Sequence, residues 1–552
     1  MRRFALTAIF FLLFVYDCGG GGEESSYSVN LSEFIAKLEK ENGISYESIK
    51  NDIAYIPPQC WTKTEGKFNP CYACHTNGKE PNYLNDSSLQ LAYSFPDERN
   101  ENPWKNLFID KTERIKAISD EEILAYVRQS NYLGEDREII LKRVLPKNWP
   151  GYIPDCYFNF DEDGFDRNPK TGEYTGWRAF RYYPFLGTFF PTNGSTDDVL
   201  IRLPESFRQD EKGSFNKEVY KANLALVEAF IKQRDINTET INERLIGVDL
   251  DGNGNLSITT LVRFKPNIMF VGMAGRFQRE GKLQSAPGLF PVGTEFLHTV
   301  RYIDWNDTTG NMKLANRMKE VRYAKKLWWA DYNFLFHFAN QKGREQFLTG
   351  EHLPESFIGN YKIGFENGTG WVYTGFIEDK KGSLRPQTNE ELQFCMGCHS
   401  SLGATTDSSF SFVRKIEGKE GWLHWTQKDL KDINDLTVRY KGFETYGEYT
   451  FYLLNNKAGD EFRENQEVIQ KFYNLDGTPK KDMFKKLRND ITVLLYPSKE
   501  RALLLNKAYK ILVEEQSFIY GRDTTVSRIK NVHRLLKPGE ETGLKSPIIQ
   551  VR

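Results

Sequence analysis

The chain of 552 residues has the length of about three or four domain-sized units, enough to bury several cores. With 39% hydrophobic and 27% charged residues at a mean hydropathy of -0.57, the composition argues against an integral membrane protein and against a disordered chain. The 74 Lys+Arg balance 75 Asp+Glu to a net charge of -1, so no surface dominated by attraction to nucleic acid is expected.

The chain opens on Met1-Arg2-Arg3 and an uncharged apolar run from Phe4 to Tyr16. That run is too short to cross a bilayer of about 30 Å, and it reads as an export signal. Cys18 follows, ahead of Gly19 to Gly22, and the stretch resembles a bacterial lipoprotein leader whose cysteine is acylated before a flexible tether. Val15 fits that pattern, whereas Asp17 stands where a small residue is usual. Lipidation at Cys18 is the expectation, with ordinary secretion or an uncleaved anchor as alternatives.

Apolar spacing then predicts helices over Ser32 to Lys40 and Glu121 to Arg128, and turn-rich aromatic sequence predicts loops and short strands from about Asn148 to Asn193. A helix over roughly Lys221 to Gln233 follows, then strands over Ile258 to Phe264 and Phe296 to Ile303. Met312 to Phe338 reads as the longest helix, basic on one side and carrying Trp328, Trp329 and Phe336 on the other. Gly364 to Phe376 reads as a hairpin turned at Asn367-Gly368, and Thr388 with Glu391 marks a helix start. Further helices are expected over Tyr446 to Leu454, Gln466 to Tyr473 and Lys499 to Gln516.

The chemistry concentrates in the cysteines. Cys71-Tyr72-Ala73-Cys74-His75 and Cys395-Met396-Gly397-Cys398-His399 both read CxxCH. Thiols three residues apart can each add to one vinyl group of a porphyrin, and the adjoining histidine then reaches the iron from the same side. A chance CxxCH in a chain with 7 Cys and 7 His is expected on the order of once in a thousand such sequences, and here there are two. Zinc or a redox CxxC leaves the paired histidines unexplained. If Cys18 carries lipid, Cys60 and Cys156 are the remaining thiols, and in an oxidising compartment a disulfide between them competes with two separately buried thiols.

No Met or His follows His75 until Met269 and His298, so the first haem is open, bound by an unusual side chain, or bound from a remote segment. His298, in an apolar run, is the leading candidate for its distal ligand, the alternative being a core histidine. His424, His533, His337, His352, Met269 and Met273 are the further candidates. Asp249, Asp251, Asn253, Asn255 and Ser257, with Gly254 at the sixth position, resemble an EF-hand calcium loop that has Thr260 where the bidentate Glu is usual. A solvated hairpin turn is the alternative there. Asn159, Asp161, Asp163 and Gly164 repeat the spacing more loosely, followed by Asp166 and no Glu at the twelfth position.

The two CxxCH motifs make the chain resemble the di-haem c-type cytochromes. That resemblance implies two covalently bound haem c groups, with Cys71, Cys74, His75, Cys395, Cys398 and His399 holding them, and calcium as an additional ion. The fold reading is α+β and predominantly helical, with cytochrome c-like haem regions near both ends around a mixed, loop-rich middle. The divisions are 1–22 signal and tether, 23–155, 156–385 and 386–552. The functional expectation is an exported carrier exchanging electrons with a periplasmic or membrane partner, as a periplasm-facing or outer-membrane lipoprotein. The alternative is a di-haem peroxidase or oxidase with one open haem acting on a small oxidant such as peroxide.

Overall fold

Short turns between apolar, β-branched runs set the architecture. The computed structural model describes residues 30–95, 100–188, 191–349, 357–456 and 464–551, so the leader, Cys18 and His352 lie outside the described residues. The strands are β1 (Phe165–Arg167), β2 (Tyr174–Ala179), β3 (Thr196–Arg202), β4 (Ile236–Asn242), β5 (Ile258–Val262), β6 (Glu295–Asn306), β7 (Asn311–Lys326), β8 (Ile358–Asn360), β9 (Gly364–Glu366), β10 (Trp371–Glu378) and β11 (Leu384–Pro386), with a short separate hairpin of β12 (Thr437–Arg439) and β13 (Thr445–Gly447). Among the described residues, nine of them form one sheet in the order β1-β2-β3-β6-β7-β10-β9-β8, with β11 on the free side of β10. The pairs within it are antiparallel. Strands β4 and β5 form a separate two-stranded ribbon.

This sheet corrects the predominantly helical, cytochrome c-like expectation. The largest error is Met312 to Phe338, which is the long strand β7 followed by a helix over Tyr332–Thr349. Its charges fell at helix-like spacings, but β7 lies in the middle of the sheet with both faces covered, and the charges are satisfied in place. Lys319 donates to the Gly194 carbonyl at 2.7 Å and the Ser195 hydroxyl at 2.9 Å, and Glu320 accepts from Arg322 at 2.8 Å and Arg522 at 3.0 Å. Buried charges require such partners. The turn Asp307-Thr308-Thr309-Gly310, with Gly310 at φ +69°, joins β6 to β7.

Other local signals hold. Asn367-Gly368 turns β9 into β10, and Thr388 with Glu391 forms a capping box at the start of the helix Asn389–His399. Glu391 also grips Arg385 of β11 at 2.8 and 2.9 Å, which fixes the start of that helix against the sheet. The C-terminal chain returns to the N-terminal region, where Val532 bridges Thr62 and Glu541 bridges Ala92. The C-terminal segment thus pairs with the chain on either side of the first CxxCH motif.

Candidate di-haem site

The first motif is a single tight turn. Asn69-Pro70 starts a 3-10 helix over Pro70–Ala73, and the His75 amide closes it on the Cys71 carbonyl at 2.9 Å. His75 Nδ1 lies 3.0 Å from Oδ2 of Asp86, a fully buried carboxylate that also accepts from the Thr76 amide at 2.8 Å and the Gly403 amide at 3.1 Å. A carboxylate only accepts, so it places the ring proton on Nδ1 and the lone pair on Nε2.

The second motif ends a helix, with Cys395 and Cys398 one turn apart. His399 Nδ1 lies 3.0 Å from the Ser408 carbonyl, which again assigns the lone pair to Nε2. The His399 ring stacks on Tyr373 with centroids 4.7 Å apart. Burial holds His399 at about 4, well below the ordinary imidazole value, against the opposing bond to Ser408 and with Arg322 and His298 adding to the effect. The neutral form is the one that binds a metal.

Although 324 residues separate His75 from His399, the motifs touch. The Ala404 amide donates to the Cys74 carbonyl at 3.1 Å. A Cβ on Gly403 would lie 1.7 Å from the Thr76 carbonyl oxygen, and one on Gly397 would lie 1.8 Å from that of Tyr55, so both close approaches require glycine. Each motif opens into its own concavity, one bordered by Cys71, Cys74 and His75 and the other by Cys395, Cys398 and His399. Pro57, Gln59, Cys60, Cys74 and Cys398 border both cavities.

The sheet floors the second cavity. Val199 of β3, His298 of β6 and Arg322 of β7 are direct cross-strand partners, as are Phe296, Ala324 and Tyr373 in the neighbouring row. Both rows face the cavity, as period-2 alternation requires.

The donor set at each motif, two thiols and a histidine whose Nε2 is free of the Nδ1 bond, is the set that haem attachment would use. Burial pushes the Cys71 thiol up to about 12 and Cys398 up to about 11, so both stay protonated thiols at neutral pH in this structure. Among the described residues, the trio of potential metal-ligating atoms that closes to within 4.8 Å is Glu243, Asp249 and Asp251, and neither CxxCH motif forms one.

Several expectations change. His298 does not face the first cavity; it lines the second, with Nε2 2.9 Å from the buried carboxylate of Asp197. Chain proximity pointed to the first haem, whereas strand pairing delivers the residue to the second. No disulfide joins Cys60 to Cys156: Cys60 borders the two cavities, while Cys156 is buried in the core near Asp166. His424 is a buried residue bonded to Asp198 and Thr426, His533 contacts Tyr93 at 3.3 Å, and His337 is exposed. Neither these three nor Met269 and Met273 line either cavity.

At the calcium-type loop, Asp249 accepts from the amides of Gly252, Asn253 and Gly254, and Asn255 bonds to Asn253. Glu243, outside the sequence pattern, accepts from the amides of Leu250 and Ser257 and draws the loop shut. In the looser loop, Asp161 and Asp163 are instead neutralised by Lys217 and Lys221 at 2.7 Å. Asp86, Arg322 and Asp197 escaped the sequence reading because each acts through a long-range approach that no local pattern encodes.

Among the described residues, no helix is long and apolar enough to cross a membrane. A family model described as that of a lipoprotein matches residues 44–490. A protein of Aquifex aeolicus (strain VF5), described as an uncharacterized lipoprotein, is 35% identical over 95% of this chain and 93% of its own length. No solved structure gives a significant match.

Proposed function

The chain belongs to this lipoprotein family, and from that premise we propose that it is an exported, lipid-anchored di-haem c-type electron-transfer protein. The observation that carries the reading is the convergence of two distant CxxCH motifs on adjoining cavities that share Cys74 and Cys398. Haem iron, when bound, supplies reversible one-electron exchange. The chain's own residues do the rest: four thiols anchor the periphery, His75 and His399 present Nε2, and Asp86 and the Ser408 carbonyl hold those rings in position. Because Cys74 and Cys398 border both cavities, haems held at the two motifs would be neighbours, and a membrane or periplasmic redox partner would supply and remove their electrons.

Acylation at Cys18 would tether the protein to a membrane, facing the periplasm. Detergent-phase partitioning that disappears in Cys18→Ser supports this; partitioning that survives assigns the anchor to the apolar leader.

A second reading, a peroxidase or oxidase, is favoured by the polar group over the second cavity. His298 backed by Asp197, beside Arg322, is placed to take a proton from an incoming oxidant and to stabilise developing charge. Electron paramagnetic resonance separates the readings. Two low-spin haems and slow reaction with peroxide support the carrier; one high-spin haem and rapid reaction support the enzyme.

A further inference from the structure

The second cavity has a cation on its wall and nothing anionic beside it. Of the described residues that line it, Arg322 is the one with a permanent charge, and no Asp or Glu is among them. Building on the di-haem reading, we infer that the end of the Arg322 guanidinium binds a carboxylate or a comparable planar oxyanion inside this cavity.

The base of that guanidinium is fixed without any ligand. Arg322 stands on β7 between His298 of β6 and Gly375 of β10, its direct cross-strand partners. Its Nε donates to Glu320 Oε2 at 2.8 Å, and the same carboxylate oxygen accepts from Arg522 Nη1 at 3.0 Å and from Gln387 Nε2 at 3.2 Å. The space that a side chain at Gly375 would need is taken by the Val321 carbonyl and by Gln387. The pairing leaves over the far end of the fork. Nη1 and Nη2 have no hydrogen-bond partner among the described residues, and the side chain, 25% open, lies on the cavity wall. Two N–H groups held in one plane match the two oxygens of a carboxylate.

The charge count points the same way. Arg522 donates through Nη2 to the Glu391 carbonyl, while the Glu391 carboxylate is gripped by Arg385 at 2.8 and 2.9 Å. In this chain of pairs three guanidiniums, Arg322, Arg385 and Arg522, share two carboxylates, Glu320 and Glu391, so one positive charge is left over. Away from bulk water such a charge attracts an anion strongly. The motif feels it: burial raises the Cys395 thiol, and Arg322 and Arg522 work against that rise.

A further donor stands on the same wall. Trp371 is 1% exposed, and its indole N–H has no hydrogen-bond partner among the described residues. A buried donor left so is unfavourable unless something in the cavity accepts from it. Two sources offer the acceptor: a propionate of the haem attached at Cys395 and Cys398, or a free carboxylate or oxyanion that enters the cavity.

The test uses the mature full-length protein, with sodium formate as the probe. Intact mass first counts the haems. Formate is titrated by calorimetry and by the haem absorption bands, and resonance Raman spectra follow the haem propionate bending modes. Arg322→Gln keeps a donor for Glu320 and removes the charge; Arg322→Lys keeps the charge and loses the fork. With a diffusible anion, the wild type binds formate saturably, Arg322→Lys binds it roughly tenfold more weakly and Arg322→Gln does not bind it. With a propionate in the site, the wild type refuses formate, and the propionate mode of one haem shifts in Arg322→Gln and returns in part in Arg322→Lys. Formate bound equally by all three proteins, or refused while the propionate modes stay unmoved, overturns the anion site and leaves the di-haem reading standing. Protein without haem whose formate binding depends on Arg322 overturns the di-haem reading alone, and protein with neither overturns both.

Discussion

Replacing Asp86 by Asn probes the junction of the two motifs most sharply. The carboxylate accepts three N–H groups, from His75, Thr76 and Gly403, while buried completely. An amide keeps one accepting oxygen and turns an NH2 group toward at least one of those donors. A hydrogen bond to a charged group is worth about 1.5–3 kcal/mol, and a buried donor left unmet costs about 1–3 kcal/mol more. The expected loss of stability is therefore about 2.5–6 kcal/mol. The redox effect is separable from it. Removing the outer partner of a ligating histidine typically costs about 10–100-fold in metal affinity. If that factor falls on the ferric iron, which the carboxylate favours, then at about 59 mV per tenfold for one electron the potential rises by about 60–120 mV. Only the haem at His75 should shift, because His399 is held by a backbone carbonyl. Spectroelectrochemical titration resolves the two midpoints. Both potentials unmoved in a folded, fully loaded Asp86→Asn protein would refute the reasoning.

Other substitutions act elsewhere in the site. If, as the carrier reading requires of a residue lining the second cavity, His298 is the distal ligand there, His298→Gly should convert the second haem, and not the first, to a high-spin form reactive with carbon monoxide, read by electronic spectra; a change confined to the first haem would contradict this. In haem-free protein, His399 sits at about 4 in the fold against an unfolded value near 6.5, so its contribution is present above about pH 6.5 and lost as pH falls toward 4. The size is at most about 3 kcal/mol, because the ring also faces the cavity; urea denaturation of wild type and His399→Gln should converge on acidification, and parallel curves would contradict this. For the proposed calcium at Asp249, chelation should lower the melting temperature of the wild type but not of an Asp249→Ala, Asp251→Ala variant. Equal responses would leave Glu243 as the loop's sufficient clasp.

What the sequence disclosed was local. CxxCH, the Thr388/Glu391 box and the Asn367-Gly368 turn are patterns within a few residues, and each forms as its own chemistry requires. The alternation around His298 correctly indicated a strand, which puts Phe296 and His298 on one face. Which cavity that face covers depended on pairing with β3 and β7, a relation between residues about 100 and 24 positions away. The charges of β7 mimicked a helix because their partners, Ser195 and Arg522, are distant in the chain. The pairing of Cys60 with Cys156 was inferred by elimination, and elimination carries no geometry.

The central claim is that both motifs carry haem on one chain. Intact mass spectrometry of the mature protein, made in cells competent in c-type maturation, tests it directly. The account predicts a mass above that of the processed polypeptide and its lipid by two haems, with peptides containing Cys71/Cys74 and Cys395/Cys398 each bearing one. One haem, or none, from such cells would contradict it.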